Sequence, residues 1–221
     1  MKLSHRYTVF THGVYASRHL DFYRRLCRHR VTVAANGGLR FFVKAGLIPD
    51  LIIGDMDSIE KAPKRMFRQS RLVLFPARKD KTDLHLALEH CLAEGGDDID
   101  VVMPTLGEPD HFLGNMMLMH LLGNRKRAVP HMSVRFLSHN LEIVYARNRA
   151  VTFLRSRGDI VSVMPLSNYI LLSCRGTAYD VTRARIPLGD TRGLRNRIVA
   201  SKAVFRVTGN GLVIRQASRR T

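Results

Sequence analysis

The sequence predicts an α/β fold in two domains: an N-terminal parallel-sheet α/β domain over residues 1–127 and a C-terminal all-β sandwich domain over 128–221. Up to about residue 125, short runs rich in β-branched and aromatic residues alternate with amphipathic stretches, the pattern of a parallel sheet with covering helices. From about residue 131, short strand-like runs follow one another across turn signals without helices between them. A polar, basic stretch over 123–130, ending in proline, marks the boundary.

The elements follow in order. Strands are expected at 7–10, 31–35, 51–53, 72–75 and 101–103. Leu20, Tyr23, Leu26 and Cys27 recur at helical spacing, with Arg18, Arg24, Arg25 and Arg28 off that face. Leu84, Ala87, Leu88, Cys91 and Leu92 repeat the pattern, and Gly95-Gly96 stops that helix. A strongly apolar helix runs over 112–122, with Asp110 as its N-cap. In the second domain, strands are expected at 133–137, 141–145, 151–154, 160–164, 169–173, 203–207 and 212–214. Ser-His-Asn, Arg-Gly-Asp and Thr-Gly-Asn-Gly supply turns between them.

Composition narrows the class. The 221 residues are 45% hydrophobic and 24% charged, enough apolar material for packed cores and too much for a disordered chain. Cys27, Cys91 and Cys174 are too few and too scattered for a disulfide framework or a zinc site and read as small core residues. No run approaches the roughly 18 apolar residues of a membrane span, and the start, Met-Lys-Leu-Ser-His-Arg, lacks a signal-type apolar segment. A cytoplasmic protein is expected. Lys and Arg number 36 against 18 Asp and Glu, a formal charge of +18. The basic residues are spread along the whole chain and aromatics are 7% with no Trp, so a nucleic-acid partner is not the first reading; a basic surface can also steer an anionic substrate.

The acids are not spread. Thirteen of the 18 fall within residues 50–110, a window of net −5 in a chain otherwise net +23. In Pro49-Asp-Leu-Ile-Ile-Gly-Asp-Met-Asp-Ser58, a buried strand runs into Asp55 and Asp57, two carboxylates projecting together where parallel sheets bind ligands. Such a pair suits Mg²⁺, a hard ion shared with phosphates; the same segment also reads as a turn with a helix cap. In Arg78-Lys-Asp-Lys-Thr-Asp83, Asp80 and Asp83 open a helix, interleaved with Lys79 and Lys81. That mixture fits a site handling metal and phosphate, and equally a solvated turn. In Pro104-Thr-Leu-Gly-Glu-Pro-Asp-His-Phe-Leu-Gly-Asn115, His111, Gly114 and Asn115 make a polar and small stripe on an apolar helix; a satisfied core histidine is the alternative. Ala34-Ala-Asn-Gly-Gly38, between a strand and a helix, would let backbone approach a phosphate or sugar.

In order and spacing these segments resemble thiamine pyrophosphokinase (thiamine diphosphokinase). That family reads Ala-Asp-Gly-Gly, Pro-Asp-Leu-Ile-Ile-Gly-Asp-Phe-Asp-Ser, Lys-Asp-x-Thr-Asp, Gly-Arg-x-Asp-His-x-x-x-Asn and, in its β-domain, a Thr-x-x-Ser-Asn-type motif. The matches are Ala35 to Gly38, Pro49 to Ser58, Lys79 to Asp83, Gly107 to Asn115 and Thr191 to Asn196; Gly158-Asp-Ile-Val-Ser-Val-Met-Pro-Leu166 also looks like the family's β-domain. The resemblance implies an ATP-dependent diphosphotransferase that makes thiamine diphosphate and AMP, an α/β domain, a β-sandwich and a homodimer with active sites at the subunit interface. It assigns Asp55, Asp57, Asp80 and Asp83 to Mg²⁺ and the triphosphate. Asn36, Gly37, Gly38, Thr82, His111 and Asn115 fall on the ATP side, with Asp110 beside them at the junction with the acceptor. Thr191, Arg192 and Asn196 fall on the thiamine side. Three departures bear on this: Asn36 where the family has Asp, Glu108 and Pro109 in the region of its Arg, and Arg195 where it has Ser. Two further functions stay open: a diphosphokinase for another alcohol such as a hydroxymethyl pterin, and a catalytically degenerate homologue that binds nucleotide or nucleic acid.

Overall fold

The computed structural model describes residues 6–55, 63–76, 78, 80–123 and 132–218. The chain divides into two compact units, Met1–Leu118 with Arg127–His139, and Met119–Lys126 with Asn140–Thr221.

The first unit is a parallel sheet of β1 (Arg6–Phe10), β2 (Val31–Ala35), β3 (Leu51–Gly54), β4 (Arg71–Leu74), β5 (Asp98–Val102) and β6 (Ser133–Leu137). Its order is β6-β5-β1-β2-β3-β4, every pair parallel. The chain steps outward from β1 to β4, then returns to the other side of β1 for β5 and β6. The topological switch therefore lies between β1 and β5, where open α/β sheets carry a crevice at their carboxyl ends. Helices α1 (Leu20–Arg25), α2 (Leu39–Ala45), α3 (Lys64–Gln69) and α4 (Asp83–Ala93) fall between the strands, and α5 (Pro109–Gly123) follows β5. The interior strands are buried along nearly their whole length, as strands covered on both faces must be. One face packs on an aromatic cluster in which Phe10 stacks on Phe41 at 4.2 Å and meets Phe42 edge-on at 4.9 Å.

Strand 133–137, expected in the second domain, belongs to this sheet: it pairs in parallel with β5. Its alternating burial imitates a sandwich strand because Arg135 points outward to a carboxylate. Arg135 grips Asp100 through Nε at 2.7 Å and Nη2 at 3.0 Å, and Arg30 binds Asp98 at 2.9 Å. These two acids sit at the start and middle of β5, not at its carboxyl end, so part of the acidic window neutralises arginines rather than holding a cation. Burial alone would raise both carboxyls. At Asp98 the hydrogen bond from Arg30 and the charges of Arg30, Arg135 and Arg6 outweigh burial and hold it below the usual range. At Asp100 desolvation prevails against Arg135 and Arg30. Asp50 is also structural, its Oδ2 accepting from Thr32 N and Oγ1 at 2.8 and 2.7 Å.

The second unit is antiparallel: β7 (Leu141–Leu154), β8 (Ile160–Pro165), β9 (Tyr169–Arg175), β10 (Val181–Pro187), β11 (Asn196–Arg197) and β12 (Lys202–Gln216). The first half of β12 pairs with β9, the second half with β8, and β7 accompanies it throughout. The two halves enclose one core, where Phe153 and Phe205 meet edge-on at 5.9 Å. The expected strands 141–145 and 151–154 are one strand, and so are 203–207 and 212–214. What reads as a Thr-Gly-Asn-Gly turn is a bulge: Gly209 takes φ +101°, and its N–H donates to Asn148 Oδ1 at 2.7 Å. A Cβ there would lie 3.0 Å from the Tyr169 carbonyl oxygen. Among the described residues no helix is long and apolar enough to cross a membrane.

Candidate active site

Three loops leave the carboxyl ends of β1, β2 and β5 and enclose, with α2 and the starts of α4 and α5, a cavity of about 960 Å³. The β1 loop is fixed first. Thr11 donates from N and Oγ1 to the Val102 carbonyl at 3.1 and 3.0 Å, and Tyr15 Oη donates to the Thr11 carbonyl at 2.7 Å. His12 thereby faces the turn after β2, packed so closely on Gly37 that a Cβ at 37 would collide with its ring. A Cβ at Gly38 would overlap the Phe10 carbonyl oxygen. The two glycines are thus required by protein packing at the cavity floor.

Asn36 is the hinge of the site. It takes φ +43°, which Asn tolerates better than most side chains. Its Nδ2 donates to Asp83 Oδ2 at 2.7 Å, joining the end of β2 to the start of α4. Its Oδ1 is buried without a hydrogen-bond partner among the described residues. The end of β3 packs on the same residue, since a Cβ at Gly54 would lie 3.2 Å from Asn36 Cα. Asp55 follows directly, half-buried, with Oδ1 enclosed.

Six expected site residues, Asn36, Gly37, Thr82, Asp83, His111 and Asn115, line the cavity together. Thr82 is also the N-cap of α4, its Oγ1 accepting from His85 N at 3.2 Å. Asp80 is exposed in the preceding turn, and Asp57 and Lys79 lie outside the described residues. Lys81 is bound to Glu89 at 2.7 Å. Asp110 is not an N-cap: α5 begins at Pro109, a residue suited to a first helical position, which places Asp110 inside the first turn. Its Oδ1 accepts from His111 N at 2.8 Å. Glu108, Asp110 and His111 cluster there, all exposed.

The cavity is also lined by His12, Arg40 and Lys44, which belong to none of the sequence motifs. Arg40 and Lys44 are four apart on α2, on the side opposite Phe41, Phe42 and Ala45. Lys44 Nζ donates to the Tyr15 carbonyl at 2.6 Å, whereas Arg40 is exposed and makes no hydrogen bond or ion pair among the described residues. A cationic pair four residues apart on a helix that follows Gly-Gly was visible in sequence, but only the loops show which way it faces.

The residues expected on the thiamine side lie in the second unit. Thr191 is exposed. Arg192 Nε binds Asp190 Oδ2 at 2.7 Å. Asn196 is committed to the turn 176–180, donating to the Tyr179 carbonyl at 2.8 Å and to Thr177 Oγ1 at 3.1 Å while its Oδ1 accepts from Tyr179 N at 3.2 Å. Arg195 takes φ +58°, its N–H held by Ser162 Oγ at 3.0 Å and its side chain exposed.

Residues 23–130 match the family model described as thiamin pyrophosphokinase, catalytic domain. A thiamine pyrophosphokinase of Bacillus subtilis is 29% identical over 188 residues, 80% of this chain and 82% of the relative. The crystal structure of thiamine pyrophosphokinase from Bacillus subtilis superposes with a TM-score of 0.75 at 24% identity, covering 96% of this chain and 99% of that one. The enzyme from Candida albicans gives 0.74 at 15% identity over 97% and 90%. At these identities the superpositions carry the fold, both the parallel sheet and the antiparallel strands that follow it, while the family model spans the cavity's walls other than the β1 loop. Over residues 23–130 the chain is similar to the catalytic domain of thiamin pyrophosphokinase, and its fold is that of these enzymes.

Proposed function

We propose that the chain is a thiamine diphosphokinase, transferring the diphosphate of ATP to the thiamine hydroxyl to give thiamine diphosphate and AMP. The observation that carries this is the cavity at the β1/β5 switch point, where Asn36 links the β2 turn to Asp83 and cations line the α2 wall. ATP enters with its triphosphate between the β2 turn and the start of α4. Arg40 and Lys44 offer positive charge to the phosphates, and Arg40 takes the part that Glu108 and Pro109 cannot play. Thr82, Asp110, His111 and Asn115 flank the reacting phosphate. Asp55, Asp57, Asp80 and Asp83 would hold Mg²⁺; the donors are all oxygens, and the buried Asn36 Oδ1 beside Asp83 fits a cation or a ligand's donor. Bound there, the ion would neutralise phosphate charge. The protein's contribution to the step is positioning and charge: the acceptor oxygen must stand in line with the β-phosphorus as AMP leaves.

The same reading assigns the acceptor to the second unit through Thr191, with Arg192 and Asn196 holding the surrounding loops. It includes a cytoplasmic homodimer, supported by the exposed apolar row Leu113, Met117 and Leu121 at one-turn spacing on α5. The test is direct. Purified protein with ATP, Mg²⁺ and thiamine is expected to yield AMP and thiamine diphosphate in equal amounts. ADP in place of AMP, or no product with thiamine, would overturn the assignment.

A further inference from the structure

The second unit separates its charges. Its acids are engaged: Arg215 binds both Glu142 at 2.8 Å and Asp159 at 2.9 Å, Asp190 is bound to Arg192, and Asp180 caps the 176–180 turn through Thr177 at 2.9 Å. Strands β9, β10 and β12 contain no Asp or Glu at all. Their inward residues fill the core: Ile170, Leu172 and Cys174 of β9, Ile186 of β10, and Ala203, Phe205 and Val207 of β12. Alternation then sends Arg175, Arg185, Lys202 and Arg206 to the outer face. Registry collects them. Arg206 pairs with Ser173, whose Oγ accepts from the N–H of Arg183 in the bulge of β10, and Arg185 pairs with Leu171. All five cations are exposed. Arg175 Nη2 donates to Thr182 Oγ1 at 2.8 Å and stands in the field of Asp180; Arg185 lies over the Tyr169 ring at 4.6 Å. By strand geometry neighbouring cations stand about 7–10 Å apart.

We propose that this outer face of β9, β10 and β12 binds the phosphate backbone of single-stranded nucleic acid. The cations are mainly arginines, whose planar guanidinium groups pair with phosphate oxygens in bidentate fashion. A single-sign field serves a polyanion; a merely solvated face mixes signs. A second copy that docked face to face on these cations would bring like charges together. Among the described residues no helix accompanies strands β7–β12 to enter a duplex groove, and a flexible strand laid on the sheet is the fitting occupant. The face is built wholly from the second unit and does not depend on which alcohol the cavity serves.

The test is fluorescence anisotropy with a labelled 20-nucleotide oligouridylate across 50–200 mM KCl, on the full chain. With four phosphates neutralised, affinity is expected to fall about 50-fold over that range, and about 7-fold for R183Q/R206Q, which removes two contacts. R155Q/R157Q, in the β7–β8 turn, is expected to keep the wild-type dependence. Lys202→Gln, at the exposed start of β12, is expected to lower the salt slope by about 0.7 and stands as the second probe should the double variant fold poorly. No binding at 50 mM KCl overturns the proposal. So does an unchanged salt slope in both R183Q/R206Q and Lys202→Gln, or displacement of the oligouridylate by polyglutamate of equal charge at equal concentration, which would mark an acidic polypeptide as the occupant.

Discussion

The two units handle charge in opposite ways. In the first, arginines and aspartates interleave: Arg30 and Arg135 pair with Asp98 and Asp100, of which Arg30 (11% exposed) and Asp100 (4%) are buried and Arg135 and Asp98 partly exposed. The remaining acids come to loop ends, around a cavity that also holds Arg40 and Lys44. In the second unit Arg215 joins Glu142 and Asp159, Arg192 joins Asp190, and strands β9, β10 and β12 themselves carry cations and no acids. Close pairing of both signs lets a small cavity accept an anionic substrate without a net field that would trap it. Segregation of one sign makes a broad surface whose attraction is long-ranged and sensitive to salt.

The first unit's mixture can be broken one sign at a time, and the largest effect belongs to the acid. Asp83→Asn removes the carboxylate that Asn36 holds at 2.7 Å. It is expected to lower kcat about 10²–10³-fold, the scale for one preorganised electrostatic group. Circular dichroism should report an unchanged fold. Arg40→Gln is expected to spare kcat and raise the KM for ATP about 10- to 100-fold, the weight of one charged hydrogen bond. Steady-state kinetics with ATP varied separates the two. Equal kcat in wild type and Asp83→Asn would remove that residue from the chemistry.

The buried pairs offer the next contrast. Arg30→Met leaves Asp98 and Asp100 with Arg135 as their main counter-charge, and Asp100 is almost fully buried. It is expected to cost about 3 kcal/mol or more, the lower end for breaking a buried pair. Arg215→Met removes the partner of Glu142 and Asp159, but Arg215 is 27% exposed and water takes up part of the loss. There the cost is expected to be about 1–2 kcal/mol. Urea unfolding of both variants measures the difference. A larger loss for Arg215→Met would mean that the second unit rests on its ion pairs as much as the first.

The sequence was most informative where function depends on local order. The runs ending at Phe10, Ala35 and Gly54 are continuous apolar strands, and the segments after them hold Asn36, Gly37 and Asp55 in one short span each, so both strand and site were legible. Relations across long separations were not. Ser133 to Leu137 alternates like a sandwich strand because Arg135 answers an aspartate 35 residues earlier. Strand β10 is hard to see in the sequence because Arg183 and Arg185 interrupt its apolar pattern, as solvent-facing residues of an edge strand do. Arg206 meets them only through the antiparallel registry of β9, so basic residues that look evenly scattered in the chain become one surface. The acidic window was the converse case: carboxylates adjacent in sequence divide between buried arginines and the cavity.

The smallest expected effect uses one cysteine from each unit. Cys91, in α4, is fully buried and its thiol is pushed up to about 12 by desolvation above all, with the charge of Glu94 adding to it. Cys174, in β9, is buried in the sandwich core, its Sγ near Thr177 Oγ1 at 3.5 Å. A raised thiol pKa means that the folded chain keeps a proton that the unfolded chain releases near 9. The stabilisation at Cys91 is therefore whole below pH 9 and lost as pH rises from 9 towards 12. Iodoacetamide at pH 8.5, with mass spectrometry of each cysteine peptide, then reports local opening of each unit. Neither cysteine should label within minutes in the native chain. Arg30→Met is expected to speed labelling of Cys91 and leave Cys174 unchanged, and Arg215→Met the reverse. Acceleration of both cysteines by either variant would show that the two units open together, so that the pairs in one support the packing of the other.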